Sequence, residues 1–188
     1  MLSAFNKDSK LIDLIKIYKN TIPKSLCTDI VDRSKDYAWH KNTWLPYKYE
    51  QLGHPNAEFE PSRGQVDKHS QIELLSIINE SVDAYIKEVT YPFTFLVQEV
   101  YTPVVLKYET GSNMLPHHDH GNAKGIPVLT VMGLLNDNFE GGELVFWDNE
   151  TIKLEAGDVI IFPTLFAFTH QINKITAGTR YSTVSWIF

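Results

Sequence analysis

The apolar and polar positions of this chain divide it into two halves of different period. Leu14-Ile15-Lys16-Ile17-Tyr18 alternates and predicts a short strand over 14–18. Ile22-Pro23 then opens a predicted helix reaching about Tyr37. Leu26, Ile30 and Val31 share its apolar face, and proline sits at its start, where a missing N–H costs little. Ile72, Leu75, Ile78, Val82, Tyr85 and Ile86 recur at helical spacing and predict a second helix over 70–90, with Pro92 beyond its end. From Phe93 onward the pattern becomes that of strands. They are predicted over 95–101, 104–108, 115–118, 128–135, 143–147, 152–154, 159–162, 169–172 and 180–187. Turn residues separate several of them, such as Asn136-Asp137-Asn138, Gly141-Gly142, Ala156-Gly157-Asp158 and Ala177-Gly178.

Two helices followed by many short strands read as an α+β, mainly β domain with a jelly-roll-like core. One domain over 1–188 is expected, with helical support over about 1–92 and the jelly-roll core over about 93–188. The stretch 39–68 shows no clean period. It holds Trp39, Trp44, Tyr47 and Tyr49 among prolines and glycines. An irregular segment of this length points to a functional loop. A lid over a site and aromatic packing against the helices are both open.

Composition narrows the class. With 43% hydrophobic residues among 188, the chain can bury one sizeable core. There are 17 Lys+Arg against 23 Asp+Glu, a net charge of −6. No basic cluster exceeds two residues, so a nucleic-acid partner is not expected. The single cysteine, Cys27, excludes an internal disulfide and reads as a core residue. That usage suits a reducing cytosol. No apolar run approaches the roughly 20 residues that span a bilayer, and the opening residues carry no signal-peptide core. A cytoplasmic protein without a membrane partner is expected.

The chemistry concentrates in Leu115-Pro116-His117-His118-Asp119-His120. Residues two apart on a strand share a face, so His117 and Asp119 can offer an imidazole and a carboxylate side by side. His170, the only histidine downstream, lies in another predicted strand. Two histidines and one carboxylate on one face of a metal leave positions open opposite, a geometry that suits Fe(II) oxygenases. The register is ambiguous, because His118 and His120 are also two apart. They fit a zinc site or an exposed polar pair equally, and His170 alone fits a structural histidine. Ten residues beyond His170, Arg180 and Ser182 share a strand face. A guanidinium fork beside a hydroxyl is a receptor for a carboxylate, while an isolated arginine also serves in surface ion pairs.

The order of these pieces resembles the 2-oxoglutarate/Fe(II)-dependent oxygenase superfamily, in particular its prolyl-4-hydroxylase-like branch. The matching stretches are Leu106-Lys107-Tyr108-Glu109-Thr110-Gly111, His117-x-Asp119, Leu135-Asn136-Asp137-Asn138-Phe139-Glu140-Gly141-Gly142-Glu143, Ala156-Gly157-Asp158 and Phe162-Pro163. His170 and Gly178-Thr179-Arg180-Tyr181-Ser182 with Trp186 complete the series. The resemblance covers about 98–188, and 14–37 more loosely. It implies a double-stranded β-helix, a cupin-like fold, with His117, Asp119 and His170 as iron ligands. It also implies Arg180 as partner of the distal carboxylate of 2-oxoglutarate, with Tyr108 and Ser182 in the co-substrate pocket. One departure is Leu134, where many relatives carry a co-substrate tyrosine. Tyr108, Thr130 or Ser182 replaces that contact, or co-substrate binding is weaker.

The implied cofactors are Fe(II) and 2-oxoglutarate, with O₂ as co-substrate. The implied reaction hydroxylates a C–H bond and releases succinate and CO₂. A peptide or small-molecule substrate is expected, with a peptidyl or free amino acid foremost and proline as the family-based choice. Asn122 and Lys124 either border the mouth of the site or belong to a solvated loop. A nucleic-acid demethylase of the same superfamily is ranked low, since position 186 is Trp where that branch usually has a second Arg. A cupin-like small-molecule binding module and a zinc hydrolase using the same triad remain as alternatives.

Overall fold

Alternation along the strands builds two cores on opposite faces of one sheet. The computed structural model describes residues 10–41, 61–89, 99–120 and 125–188. The strands are β1 (Lys16–Tyr18), β2 (His40–Lys41), β3 (Ser62–Gln65), β4 (Val104–Glu109), β5 (Met114–His117), β6 (Leu129–Leu134) and β7 (Glu140–Gly141). They continue as β8 (Leu144–Phe146), β9 (Glu150–Ile152), β10 (Val159–Pro163), β11 (His170–Ile172), β12 (Ile175–Ala177) and β13 (Thr179–Ile187). The helices are α1 (Lys24–Arg33) and α2 (Lys68–Val89). A major sheet runs β1-β10-β6-β13-β4-β3-β2, a minor sheet β5-β11-β8-β9, and β12 pairs with β7. Every pairing between these strands is antiparallel.

On one face of the major sheet, Val105, Val131, Val159 and Ile161 pack with Leu26, Cys27 and Ile30 of α1 and Leu74, Ile78 and Val82 of α2. On the other face, Val104, Leu106, Met132, Ile160, Phe162 and Val184 meet Leu144, Phe146 and Ile172 of the minor sheet. This is the double-stranded β-helix that the resemblance implies, with helices on the outer face of its larger sheet. Each fully buried Leu, Ile, Val or Phe contributes about 1.5–3 kcal/mol, so the two cores outweigh the weak propensity of strands only three residues long. Gly133 is a packing requirement: a Cβ there would lie 2.5 Å from Ile22 Cδ1 and 2.8 Å from Thr183 Oγ1.

Cys27 is buried in the helix-facing core, as its sequence context predicts, and burial pushes its thiol up to about 11. The region 39–68 holds more regular structure than its sequence shows. Ser62–Gln65 forms β3, and α2 begins already at Lys68. Trp39 packs against Tyr37 and Tyr181, with the Lys107 ammonium 4.9 Å from its ring centroid. Trp44, Tyr47 and Tyr49, and with them the lid, lie outside the described residues. The strand expected over 95–101 is, in its described part, one bridge between Val100 and Ile187. No helix among the described residues is long and apolar enough to cross a membrane.

Asp67 joins the two helices. Its carboxylate accepts from the backbone N–H groups of His69 and Ser70 and from the Ser70 hydroxyl, capping α2. It also accepts from Arg33 of α1 at 3.1 Å and from the Tyr37 hydroxyl at 3.1 Å. Burial alone would raise this carboxyl, but the bonds from Ser70, Tyr37 and Arg33 win and lower it to about 2. Its stabilising contribution is complete above the unfolded value of about 3.9 and is lost as pH falls through about 2. Asp67→Ala is expected to cost about 2 kcal/mol at neutral pH. In chemical denaturation it should also flatten the loss of stability between pH 4 and 2. An unchanged acid limb would assign that limb to other carboxylates.

Candidate metal centre

β5 and β11 are neighbours in the minor sheet, and their register sets His117 directly opposite His170. The two imidazole centroids are 4.3 Å apart. β5 ends at His117, so Asp119 lies just past the strand rather than on it. It still reaches the same point: His117 Nε2 and Asp119 Oδ1 are 3.6 Å apart. One ligand atom from each of His117, Asp119 and His170 lies within 4.8 Å of the others, the one such grouping among the described residues. Ligand atoms about 2.1 Å from a common ion sit roughly 3–4 Å apart, so small side-chain rotations bring this set to coordination distance.

The atoms behind the ligands are arranged for the same purpose. His117 Nδ1 is 2.8 Å from the Leu115 carbonyl, and His170 Nδ1 is 3.0 Å from the Phe168 carbonyl. A carbonyl at Nδ1 requires the proton there, which leaves each Nε2 lone pair for a metal. Burial, with the His117 charge beside it, pushes the His170 imidazole down to about 4 against the opposing pull of Asp119. His170 is therefore neutral at physiological pH. Asp119 is buried, and its other oxygen, Oδ2, accepts a 2.6 Å bond from the Thr130 hydroxyl on β6. This bond links the minor-sheet site to the major sheet and fixes the carboxylate plane. Thr130→Val removes the bond with little change of volume. Fe(II) affinity, read by anaerobic metal titration, should fall about 10–100-fold, the usual cost of losing an outer-shell partner. Unchanged affinity would mean that Asp119 orients itself without help.

Of the alternative pair, His118 is exposed, and its ring centroid is 6.5 Å from that of His120. Neither belongs to the metal-capable grouping. Asn122 and Lys124 lie outside the described residues.

The buried face of the major sheet carries the second half of the site. Arg180 pairs with Tyr108, and Ser182 pairs with Leu106 and Leu134 across β4, β13 and β6. Arg180 is 2% exposed, yet no carboxylate lies within ion-pair range among the described residues. Its guanidinium donates to the Ser182 hydroxyl at 2.9 Å, approaches Met132 Sδ at 3.9 Å, and lies 5.1 Å from the Tyr108 ring centroid. Burial pushes this guanidinium below its ordinary value. An enclosed cation held only by neutral groups is costly and is stabilised by an anion. Tyr108, Met132, Thr130 and the three metal-site residues line one pocket. Met132 was not read from the sequence, although its place two residues from Thr130 on one strand is a usable signal. Leu134 closes the row beside Ser182 and is buried. The Thr130 hydroxyl donates to Asp119, the Ser182 hydroxyl accepts from Arg180, and the Tyr108 hydroxyl donates to the thioether of Met114 at 3.9 Å.

A jelly roll that gathers two histidines, an aspartate and a buried arginine at one end defines a class, and comparison with known proteins agrees. The model of the 2OG-Fe(II) oxygenase superfamily matches residues 103–188, a little under half of the chain. A PKHD-type hydroxylase of Rippkaea orientalis is 31% identical over 134 residues, 65% of this chain and 58% of the relative. One from Gluconobacter oxydans is 31% identical over 110 residues, 52% of this chain and 47% of the relative. The chain thus spans about half the length of the curated relatives it matches. Among solved structures, a Pseudomonas putida prolyl-4-hydroxylase superposes with a TM-score of 0.66 at 14% identity, over 93% of this chain and 92% of that one. A Trichoplax adhaerens prolyl hydroxylase, bound to a peptide of the hypoxia inducible factor oxygen degradation domain, gives 0.68 at 17% identity, over 94% and 84%. At these identities the structures report a shared fold.

Proposed function

We propose that this chain is an Fe(II)- and 2-oxoglutarate-dependent oxygenase that hydroxylates a C–H bond of a peptidyl or free amino acid, with proline as the first candidate. The observation that carries it is Arg180, a buried guanidinium with no carboxylate partner among the described residues, held against Tyr108 and Met132, two side chains that line the pocket of the His-Asp-His cluster. A metal site alone fits hydrolysis as well. A metal site beside a buried anion receptor fits a co-substrate that is a dicarboxylate.

The residues present fit both groups. His117, Asp119 and His170 would hold Fe(II), a donor set of imidazole and carboxylate suited to that ion. Arg180, with Ser182 supporting one nitrogen of its fork, would hold the distal carboxylate of 2-oxoglutarate. Tyr108 is the hydroxyl best placed for the contact that Leu134 cannot make. When bound, iron and 2-oxoglutarate supply the oxidative chemistry, in which O₂ oxidises a C–H bond to an alcohol while 2-oxoglutarate leaves as succinate and CO₂. The protein's share is placement. Neutral His170 keeps its lone pair available without releasing a proton, Thr130 fixes Asp119, and Met132, Phe162 and Ile172 keep the pocket dry. The peptide in the Trichoplax complex supports a peptide substrate for this chain.

The test is anaerobic titration with Fe(II) and then 2-oxoglutarate. A visible metal-to-ligand charge-transfer band, followed by succinate release on admitting O₂, is the expected result. Zinc-dependent hydrolysis without need of 2-oxoglutarate, or failure to bind either group, would overturn the proposal.

A further inference from the structure

Beside the metal pocket, a cleft of about 740 Å³ is lined by Arg63, Gln65, Gln71, Glu99, Tyr101, Thr102, Val104 and Phe188. Its volume is in the range of sites that hold a small ligand or a short piece of chain. The register of the major sheet ties this cleft to the metal centre. Arg63 and Gln65 share a face of β3, opposite Leu106 and Val104 on β4. Leu106 lines the metal pocket, and Val104 pairs with Val184, which lines it too. Arg63 also holds its guanidinium 5.7 Å from the ring centroid of Trp186, another wall of the metal pocket. Trp186 in turn pairs with Thr130, the partner of Asp119. The cleft and the metal pocket are therefore neighbours on one sheet face, with Trp186 common to both surroundings.

Arg63 is half-buried, and among the described residues no carboxylate comes within ion-pair range of it. Glu99 lines the same cleft and is exposed, but it forms no ion pair with Arg63. Partial burial without an anion depresses the guanidinium below its ordinary value. The cation rests against an indole while its side chain lines the cleft, where a planar fork suits a carboxylate. Besides Glu99, the other lining groups are the amides of Gln65 and Gln71, the hydroxyls of Tyr101 and Thr102, the Val104 side chain and the Phe188 ring, none of them a competing cation.

We propose that Arg63 is a specificity-determining residue that binds a carboxylate of the substrate, so that the preferred substrate carries an acidic group within about one to three residues of the oxidised carbon. Arg63 lies across from Leu106 of the metal pocket on the adjacent strand, a separation of roughly 4.7–4.9 Å to which the reach of a side chain is added, and an extended chain covers it in one to three residues at roughly 3.3–3.6 Å each. The proposal rests on the oxygenase reading of the neighbouring pocket. The carboxylate comes either from an acidic side chain in a peptide or from the free α-carboxylate of an amino acid.

The experiment uses the full chain with Fe(II) and 2-oxoglutarate, and measures both binding by calorimetry and succinate release. One arm compares proline-centred peptides carrying Glu, Gln or Lys at each position from −3 to +3. The other pairs free amino acids with their carboxamides. Wild type, Arg63→Gln, Arg63→Lys and Arg63→Glu are compared through the acid-to-amide ratio within each protein, so a general loss of activity or of folded fraction cancels. Wild type should favour the acidic member by about ten- to a hundredfold in one arm, the range of a charge-assisted bond. The ratio should fall to near one in Arg63→Gln, remain partial in Arg63→Lys and invert toward a Lys-bearing peptide in Arg63→Glu. The arm that responds names the source of the carboxylate. An equal ratio in wild type and Arg63→Gln overturns the proposal, as does a panel in which no acidic member binds or turns over. Absence of succinate even without added substrate counts instead against the oxygenase reading, and the calorimetric ratio still decides the role of Arg63.

Discussion

Arg180→Met is expected to weaken 2-oxoglutarate binding by about a hundred- to a few thousandfold while Fe(II) binding stays within a few-fold of wild type. The magnitude follows from burial. Arg180 is almost fully enclosed and lies among Ser182, Met132 and Tyr108, with no carboxylate in ion-pair range among the described residues. A dicarboxylate entering this pocket would complete a buried ion pair, and removing one partner of such a pair costs about 3–5 kcal/mol. At 1.4 kcal/mol per factor of ten, that gives the stated range. Arg180→Lys should fall between, because an ammonium keeps the charge but loses the planar fork. The amplitude of the visible band as 2-oxoglutarate is titrated under anaerobic conditions gives the affinity directly. If Arg180→Met binds 2-oxoglutarate as wild type does, the carboxylate receptor is elsewhere.

Asp119→Ala should abolish succinate formation and lower Fe(II) affinity by at least about a hundredfold. It differs from the Thr130 variant in kind. Thr130→Val leaves three ligands and loosens one, whereas Asp119→Ala leaves two neutral imidazoles and no anion. It also strands the Thr130 hydroxyl, which now donates at 2.6 Å to Asp119. Losing an outer-shell partner already costs about 10–100-fold, and losing the ligand itself costs at least as much. Metal content after dialysis against Fe(II) measures the first effect and succinate release the second. Turnover at the wild-type rate in Asp119→Ala would exclude this carboxylate from the centre.

The parts legible in the sequence are those that repeat. α2 lies where the spacing of Ile78, Val82 and Tyr85 puts it, and β6 and β10 follow their apolar runs. The triad and Arg180 were readable because residue type and order carry them. What was not readable depends on register between distant strands. β7 and β12 are two and three residues long, too short for any period. β3 hides in Ser62-Arg63-Gly64-Gln65, where the face opposite to Arg63 and Gln65 is formed by Ser62 and Gly64, neither of them an apolar side chain. A Cβ on Gly64 would come within 3.0–3.3 Å of the Trp39 and Tyr37 rings, so the apolar half of the alternation is absent. The bond between Thr130 and Asp119 joins two sheets, and nothing local announces it. The pairing of His117 with Asp119 rested on a continuous strand. The strand stops at His117, and the residues converge because the turn beyond it brings Asp119 back toward Thr130.

The two-sided major sheet has a consequence for how this protein can change. Along β6, β10 and β13, odd and even positions answer to different demands: one set holds the helices, the other faces the chemistry. Substitutions at Val131 or Ile161 should register as melting temperature alone, whereas substitutions at Met132 or Val184 should also change the pocket that those side chains line. Because neighbouring positions in one strand belong to separate functions, gains in robustness on the helix side can accumulate first. They then offset the losses that a remodelled pocket incurs on the other side.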